Sequence, residues 1–385
     1  MALKICAVTG SRADWGLLRS PLRLLRDDPE FELQLAVTGM HLSPAFGRTV
    51  EEIAAEGFAV DAEVPTLEAG DDAVAVAEAL GRGVLGFAPA LRRLAPDLLL
   101  VPGDRYEILA AVEAALIARI PIAHIAGGDV TEGAFDDAIR HAISKMAQIH
   151  FATNQAAAAR LHQMGEAPEH VIVSGSPALD AIAELPPVKR EEAFRDLGLA
   201  PRPRNFLVTF HPATLEPTPA GAQFRELLGA LDELGSEAGL ILTGSNADTE
   251  GRALGRLAEA YAAKRDNAVF HSSLGQKRYL GVMRHVDAVI GNSSSGLYEA
   301  PSFKIPTVNI GSRQEGRLKA ASVIDCAPER EAIKGAIERA LTLDCSAVLN
   351  PYGDGHAGER IVAALKRIGE PAKLLRKSFR SLGPS

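Results

Sequence analysis

Leu98-Leu99-Leu100-Val101-Pro102-Gly103-Asp104-Arg105-Tyr106-Glu107 runs four large aliphatics into a glycine stop and then into three charges. An aliphatic run this unbroken fits a strand covered on both faces, as in a parallel sheet between two helical layers. Stops of the same kind end three other apolar runs and precede helix-like stretches: Val8-Thr9-Gly10-Ser11-Arg12, Ile125-Ala126-Gly127-Gly128-Asp129 and Ile290-Gly291-Asn292-Ser293-Ser294. In open parallel sheets, ligands sit beyond the carboxyl ends of the strands, where helix N-termini turn N–H groups toward anions. Two of the stops carry arginine, which grips phosphate in a bidentate way. The pattern predicts a phosphate-bearing ligand in a cleft.

Working outward, strand-like runs at 3–10, 31–39, 98–103, 120–127, 149–154 and 171–175 alternate with helical periodicity at 14–26, 73–94, 106–119, 136–147 and 155–164. Such alternation implies βαβ units and a mostly parallel sheet. Glu184-Leu185-Pro186-Pro187-Val188 and Pro201-Arg202-Pro203-Arg204 interrupt it and read as a domain boundary. A second alternating set follows at 205–210, 239–244, 268–271, 288–291, 307–311 and 323–326, then an amphipathic tail with a break near Pro371. The expected fold is α/β, with two Rossmann-like domains and a ligand cleft between them. Their expected limits are 1–184 and 185–357, with a C-terminal helix, 358–385, that can return to the first domain.

Bulk properties narrow the function. A chain of 385 residues exceeds one ordinary core. Lys plus Arg number 41 and Asp plus Glu 49, so the net charge of −8 argues against a nucleic-acid partner. Three widely spaced cysteines (Cys6, Cys326 and Cys345) suggest neither a disulfide framework nor a zinc site. The opening Met1-Ala2-Leu3-Lys4 runs straight into the first strand, and no uninterrupted apolar run reaches bilayer length. Cytoplasm is the expected setting.

The stops carry candidate chemistry. Ser11 or Asp14 can cap the helix after Gly10, leaving Arg12 near its start for a phosphate or simply solvated. Asp104 can serve as acid or base beside an anion-binding Arg105, or merely cap the helix at Tyr106. The densest polar cluster is His124, Gly127-Gly128-Asp129, Asp136-Asp137 and Arg140-His141. Asp136 and Arg140 are four apart, on one helical face, and can pair. In the second half, Pro212 stops a strand just after His211. The hydroxyl-rich loop 291–296 with Glu299 one turn on suits a diphosphate and a ribose diol, and Arg313 follows the next strand. A GxGxxG dinucleotide fingerprint is absent after the first strand.

On these segments the chain resembles the UDP-N-acetylglucosamine 2-epimerase family, and within it the hydrolysing branch that feeds sialic and legionaminic acid synthesis. The resemblance spans nearly the whole chain: TGSRADWGLL at 9–18, TGMHLSPAFG at 38–47, GDRYE at 103–107, HIAGGDVTEGAFDDAIRH at 124–141, GSPALD at 175–180, His211-Pro212, GNSSSGLYE at 291–299, GSRQEGR at 311–317 and NPYGDG at 350–355. It implies a glycosyltransferase-B-like fold. It also implies a reaction that eliminates UDP across the anomeric carbon and its neighbour, then adds water to the resulting 2-acetamidoglucal to release a manno-configured sugar. Arg12, Arg105, Ser293, Ser294 and Arg313 would hold the diphosphate, Glu299 the ribose hydroxyls, with Asn246 and His271 on the nucleotide side. Asp104 and Asp136 would be the acid/base carboxylates, and His211 would face the leaving phosphate or the sugar. His41, His124 and Arg140 would lie on the sugar side. The chemistry needs no cofactor and no metal, and relatives of this kind form homodimers or homotetramers.

One departure stands out. Many such relatives carry a catalytic glutamate two residues after the histidine of the HIxGG segment, where this chain has Ala126. Asp129 or Glu132 can replace it, or Asp104 and Asp136 suffice. Pro212-Ala213-Thr214 stands where the non-hydrolysing branch has an arginine-rich segment. The expected donor is UDP-N-acetylglucosamine; UDP-N,N′-diacetylbacillosamine is the alternative, with a GDP-linked donor also open. Glycosyl transfer and nucleotide-sugar sensing without catalysis are the competing classes.

Overall fold

The computed structural model describes residues 2–68, 72–131, 135–212, 218–244 and 249–381, with backbone alone for 249–252. The chain forms two compact units, Met1–Ala181 with Tyr352–Ser385, and Ile182–Pro351.

In the first unit seven strands form one sheet: β1 (Leu3–Thr9), β2 (Phe31–Thr38), β3 (Ala62–Val64), β4 (Leu98–Pro102), β5 (Ile122–Ile125), β6 (Ile149–Ala152) and β7 (Val171–Val173). Their order is β3-β2-β1-β4-β5-β6-β7, and every pairing is parallel. The two-residue period of a strand explains the unbroken aliphatics. Leu98 and Leu100 join Ile5, Ala7, Phe151 and helices Arg12–Arg26 and Ala357–Leu365 on one face. Leu99 and Val101 join Cys6, Val8 and helices Ala73–Leu94 and Tyr106–Ile117 on the other. Chain order reverses between β1 and β4, so the loops that leave those strands diverge and open a crevice at their carboxyl ends.

The helix Ala73–Leu94 is long and apolar enough, by length and composition, to cross a membrane. Here it lies along Tyr106–Ile117 with Phe87 and Leu91 buried, and a Cβ on Gly83 would stand 2.7 Å from that of Ala110. The C-terminal helix is tied to this unit by Asp180, the last residue of the GSPALD segment. Its carboxylate accepts from the Ala357 and Gly358 amides at 2.9 and 2.7 Å and from Ser20 Oγ at 2.8 Å.

The second unit repeats the plan with β8 (Arg204–Thr209), β9 (Ala238–Thr243), β10 (Ala268–His271), β11 (Ala288–Gly291), β12 (Thr307–Ile310) and β13 (Val323–Cys326). Their order is β10-β9-β8-β11-β12-β13, again parallel throughout. Phe206, Val208, Leu240 and Leu242 face one core; Leu207 and Ile241 face the other. The switch point falls between β8 and β11. Gly291 makes the close approach there: at φ +134° its Cβ would sit 1.9 Å from the Thr209 carbonyl oxygen, so no side chain fits.

Candidate functional site

At the first switch point the turn after β1 is built by a reciprocal cap. Ser11 Oγ accepts from the Asp14 amide at 3.3 Å and donates to Asp14 Oδ2 at 3.0 Å, which also accepts from the Gly10 amide at 3.1 Å. Ser11 is thus the cap, and Asp14 is buried beneath the turn. Burial pushes its carboxyl up to about 6 against the opposing pull of Arg105. Arg12, the first helical residue, is exposed and pairs with Glu52 at 2.8 Å.

After β4, Arg105 rather than Asp104 takes the cap position of the next helix, so Asp104 is not consumed as a cap. Arg105 donates twice to Glu107, from Nε at 3.1 Å and from Nη2 at 2.9 Å. Glu107 is fully buried, while about a third of the Arg105 side chain stays exposed. A buried carboxylate therefore holds a guanidinium facing outward at the strand ends.

Arg140 is buried and reaches back from helix Asp136–Met146 to Asp104, and it also donates to Thr131 Oγ1 at 2.9 Å. The expected Asp136–Arg140 pair does not form. Instead Arg140 lies 3.7 Å from Asp137, which accepts from the Thr131 amide at 2.7 Å and stands 3.4 Å from His141. Asp136 opens the helix, and its carboxyl is pushed above the ordinary range by burial, with Arg105 pulling it back and Glu107 adding to the rise.

His41 and His124, expected on the sugar side, have both ring nitrogens engaged within the protein. His41 is buried, with Nε2 on Thr9 Oγ1 at 2.9 Å and Nδ1 on Thr49 Oγ1 at 2.6 Å. His124 is buried under the Gly103 carbonyl oxygen, to which Nε2 donates at 2.7 Å, while Nδ1 meets Ser144 Oγ at 3.1 Å. Burial lowers the two rings to about 4 and about 3, so both are neutral struts with each nitrogen engaged. They brace the turns after β1 and β4.

Asp129, one of the expected stand-ins for the carboxylate missing at 126, is engaged at its own loop. It accepts from Thr153 Oγ1 at 2.8 Å and from Asn154 Nδ2 at 3.2 Å, tying its loop to the end of β6. Ala126 itself is buried in the apolar cluster with Ile125 and Phe151, at φ +64°. Glu132 lies outside the described residues. Asp104 lies at this sheet edge against Arg140, and Asp136 lies there within the field of Arg105.

In the second unit Asn292 is the hub. Its Oδ1 accepts from the His211 amide at 2.7 Å and its Nδ2 donates to the His211 carbonyl oxygen at 2.8 Å, joining the loops after β8 and β11. Its own carbonyl oxygen accepts from Arg313 Nη1 at 3.0 Å and from Gln314 Nε2 at 2.8 Å, adding the loop after β12. Beside it lies a cavity of about 300 Å³ lined by Thr209, Thr243, Tyr279, Ser293, Ser295 and the segment 272–276. Ser294 precedes only a single helical turn, Ser295–Tyr298, so the loop presents hydroxyls and little helix dipole. Glu299 follows; burial pushes its carboxyl up to about 7, and Oε2 is buried with no hydrogen-bond partner among the described residues. A carboxyl in that state is poised to take hydroxyl donors. His271 ends β10 with Nε2 on the Leu197 carbonyl oxygen at 3.1 Å. Asn246 lies outside the described residues.

Asp14, Glu107, Asn292 and Tyr279 carry this architecture and were not singled out as site residues from sequence. Asp14 and Glu107 follow Arg12 and Arg105 by two residues, and that shared spacing was the available signal.

A family model described as UDP-N-acetylglucosamine 2-epimerase matches residues 23–366. The chain is 38% identical over 323 residues to the GDP/UDP-N,N′-diacetylbacillosamine 2-epimerase (hydrolyzing) of Campylobacter jejuni, covering 84% of each chain. It is 35% identical to the UDP-N,N′-diacetylbacillosamine 2-epimerase (hydrolyzing) of Legionella pneumophila over 98% of this chain and 99% of the relative. Among solved structures, the UDP-GlcNAc 2-epimerase of Neisseria meningitidis bound to UDP-GlcNAc superposes with a TM-score of 0.74 at 17% identity, over 95% of this chain and all of that one. A Listeria monocytogenes structure gives 0.79 at 19% identity over 95% and 96%. The structural likeness carries the fold, two doubly wound parallel sheets of the glycosyltransferase-B type. With a family model covering most of its length, and relatives above one-third identity over 84% and 98% of it, the chain belongs to the UDP-N-acetylglucosamine 2-epimerase family.

Proposed function

We propose that the protein is a hydrolysing 2-epimerase of a UDP-linked 2-acetamido sugar, with UDP-N,N′-diacetylbacillosamine as the donor. The observation that carries the chemistry is the edge of the first sheet. There Arg140 fixes Asp104 at the end of β4, while Asp136 stands close to Arg105 with its carboxyl pushed up by burial. In the first step a carboxylate takes the proton from the carbon beside the anomeric centre, the electron pair forms the glycal double bond, and the anomeric C–O bond breaks with its electrons leaving on UDP. In the second, a carboxyl delivers a proton to the neighbouring carbon from the opposite face while water adds its hydroxyl to the anomeric carbon; the water's remaining proton restores that carboxyl, and the proton taken in the first step leaves to solvent. Asp104, held in place by Arg140, suits the first transfer; Asp136, its carboxyl pushed up by burial, suits the second. Arg105, steadied by Glu107, and Arg12 at the same sheet edge answer the charge that grows on the departing phosphate.

The nucleotide belongs with the second unit. Its cavity has hydroxyls at one side and the segment 272–276 at the other, and Glu299 Oε2 is left for a ribose hydroxyl. Asn292 holds His211 by its backbone next to the same loop. The two relatives named for the diacetamido donor favour it over UDP-N-acetylglucosamine. The second reading keeps support from a Neisseria meningitidis UDP-N-acetylglucosamine 2-epimerase, 33% identical over 340 residues.

An NMR time course with each of the two UDP sugars and a GDP-linked analogue, in water without acceptor, tests the proposal. The expected products are UDP and the free 2,4-diacetamido-2,4,6-trideoxymannose. Preference for the unmodified donor selects the second reading, and UDP release only on adding an acceptor selects glycosyl transfer.

The same reading carries a homo-oligomer. Ile117, 85% exposed, lines a groove with Arg92, Glu113 and Arg119, and Leu85, 77% exposed, lies on the same helix as the groove residues Val84 and Ala88. Those three charges form no ion pair among the described residues, and a second copy offers both the apolar cover and the opposite signs. Light scattering on the wild type and on a Leu85→Glu/Ile117→Glu variant checks it; equal masses refute this face.

A further inference from the structure

Five hydroxyls line up beside the second-unit cavity. Thr243 Oγ1 meets Thr209 Oγ1 at 2.6 Å, Thr209 Oγ1 meets the Tyr279 hydroxyl at 3.5 Å, and the Tyr279 hydroxyl meets Ser295 Oγ at 2.6 Å. Ser295 Oγ then donates to Ser293 Oγ at 3.1 Å, and the Ser295 amide donates to the same oxygen at 3.4 Å. Each hydroxyl has one proton, and counting them sets the direction. Ser295 spends its proton on Ser293, so at its contact with Tyr279 it must accept, and Tyr279 must donate. Ser293 accepts twice inside the loop, and its own proton has no acceptor among the described residues.

We propose that Tyr279 is a positioning residue for the nucleotide, heading a one-way hydroxyl relay through Ser295 that reserves the Ser293 proton for a phosphate oxygen. The inference rests on reading this unit as the nucleotide-binding half. Hydroxyl chains polarise in series, so a donor at the end of one is stronger than an isolated serine. Burial raises the Tyr279 hydroxyl above its ordinary range, which keeps it a donor at any working pH. The relay also replaces a helix dipole that the single turn Ser295–Tyr298 is too short to provide.

NMR titration with UDP and with uridine tests it, since only UDP carries the phosphate. Tyr279→Phe keeps the ring and removes the donor. It is expected to weaken UDP about five-fold while leaving uridine unchanged. Ser295→Ala, a smaller change in the same relay, is expected to show the same selectivity. In a Ser293→Ala background Tyr279→Phe should cost nothing further, because the proton it directs is gone. Equal losses for UDP and uridine, no loss, or full additivity with Ser293→Ala would overturn the relay while leaving the nucleotide site intact. A wild type that binds neither probe would instead overturn the reading of this unit, and the relay with it.

Discussion

Glu107 holds Arg105 through two hydrogen bonds, 2.9 and 3.1 Å, from a position with no exposure to solvent. A guanidinium two residues from its partner on the same short turn has little freedom, so it is already oriented before any anion arrives. Glu107→Gln keeps the shape but replaces one acceptor with an N–H aimed at the guanidinium. Hydrogen bonds to charged groups are worth about 1.5–3 kcal/mol, so kcat/KM for UDP release should fall roughly 10- to 100-fold. Steady-state kinetics with a thermal melt alongside checks this, and an unchanged kcat/KM would show that Arg105 does not meet the donor.

Asp104 is gripped by Arg140 and is not used as a helix cap. Asp104→Asn should therefore abolish turnover, by more than 100-fold on the usual scale of positioned proton transfer. UDP affinity should stay within about three-fold, a change below 1 kcal/mol. Paired measurements of UDP release and UDP titration read the two effects separately. Retained turnover removes Asp104 from the chemistry.

Glu299 links nucleotide binding to pH. In the free protein its carboxyl is pushed up to about 7 by burial. Ribose hydroxyls that donate to it favour the ionised form and lower that value on binding. Below pH 7 the free protein carries the proton and the complex does not, so binding of uridine, which has the ribose but no titrating phosphate, should release protons and strengthen as pH rises toward 7. Above 7 the dependence should flatten. Calorimetry in buffers of different ionisation enthalpy measures the release, and Glu299→Gln should eliminate it. Proton uptake, or none in the wild type, would place the ribose elsewhere.

Both sheets were legible because strands covered on two faces read as unbroken aliphatics, and each glycine stop marked the end that carries ligands. Leu98–Val101 and Gly103 are the plainest case. Less could be read about which partner each polar side chain takes. Asp136 and Arg140 have ideal helical spacing, yet Arg140 turns to Asp104 because the loop after β4 brings a carboxylate within its reach. His41 and His124 sit in site motifs, but a residue type does not disclose its burial, and both are struts. Tyr279 lies inside helix Gly275–Met283 with no motif around it, and only the fold sets its hydroxyl against Ser295.

Ala126 holds a left-handed conformation, φ +64°, with its side chain in the apolar cluster. That region costs a residue with a Cβ about 1 kcal/mol relative to glycine. Ala126→Gly relieves the strain, gives up a small buried methyl and loosens the unfolded chain, and these terms oppose one another. A net stability change within about 1 kcal/mol is expected by urea unfolding. A loss well beyond that would mean the methyl fills space the surrounding cluster cannot close.

The C-terminal segment is anchored by charge, and that anchor should fail in acid. Glu166 is buried, with Oε1 2.8 Å from Lys145 Nζ and Oε2 2.9 Å from His150 Nε2 and 2.5 Å from Lys377 Nζ. Burial alone would push its carboxyl up, but the bonds from His150, Lys145 and Lys377 outweigh it and hold the group at about 2. The unfolded chain returns it to about 4.3. Its contribution to stability is therefore complete above that value and is lost as pH falls toward 2, amounting to about 3 kcal/mol. Glu166→Gln removes it and leaves two lysine ammoniums without their counterion. The only tryptophan, Trp15, lies in the same unit, stacked edge-on to Phe58 with ring centroids 5.0 Å apart, so its fluorescence follows this unit during urea unfolding. The gap between wild type and variant should be constant from pH 5 to neutrality and close progressively below about 4.3. A gap that persists at pH 2.5 would mean the variant loses packing rather than charge.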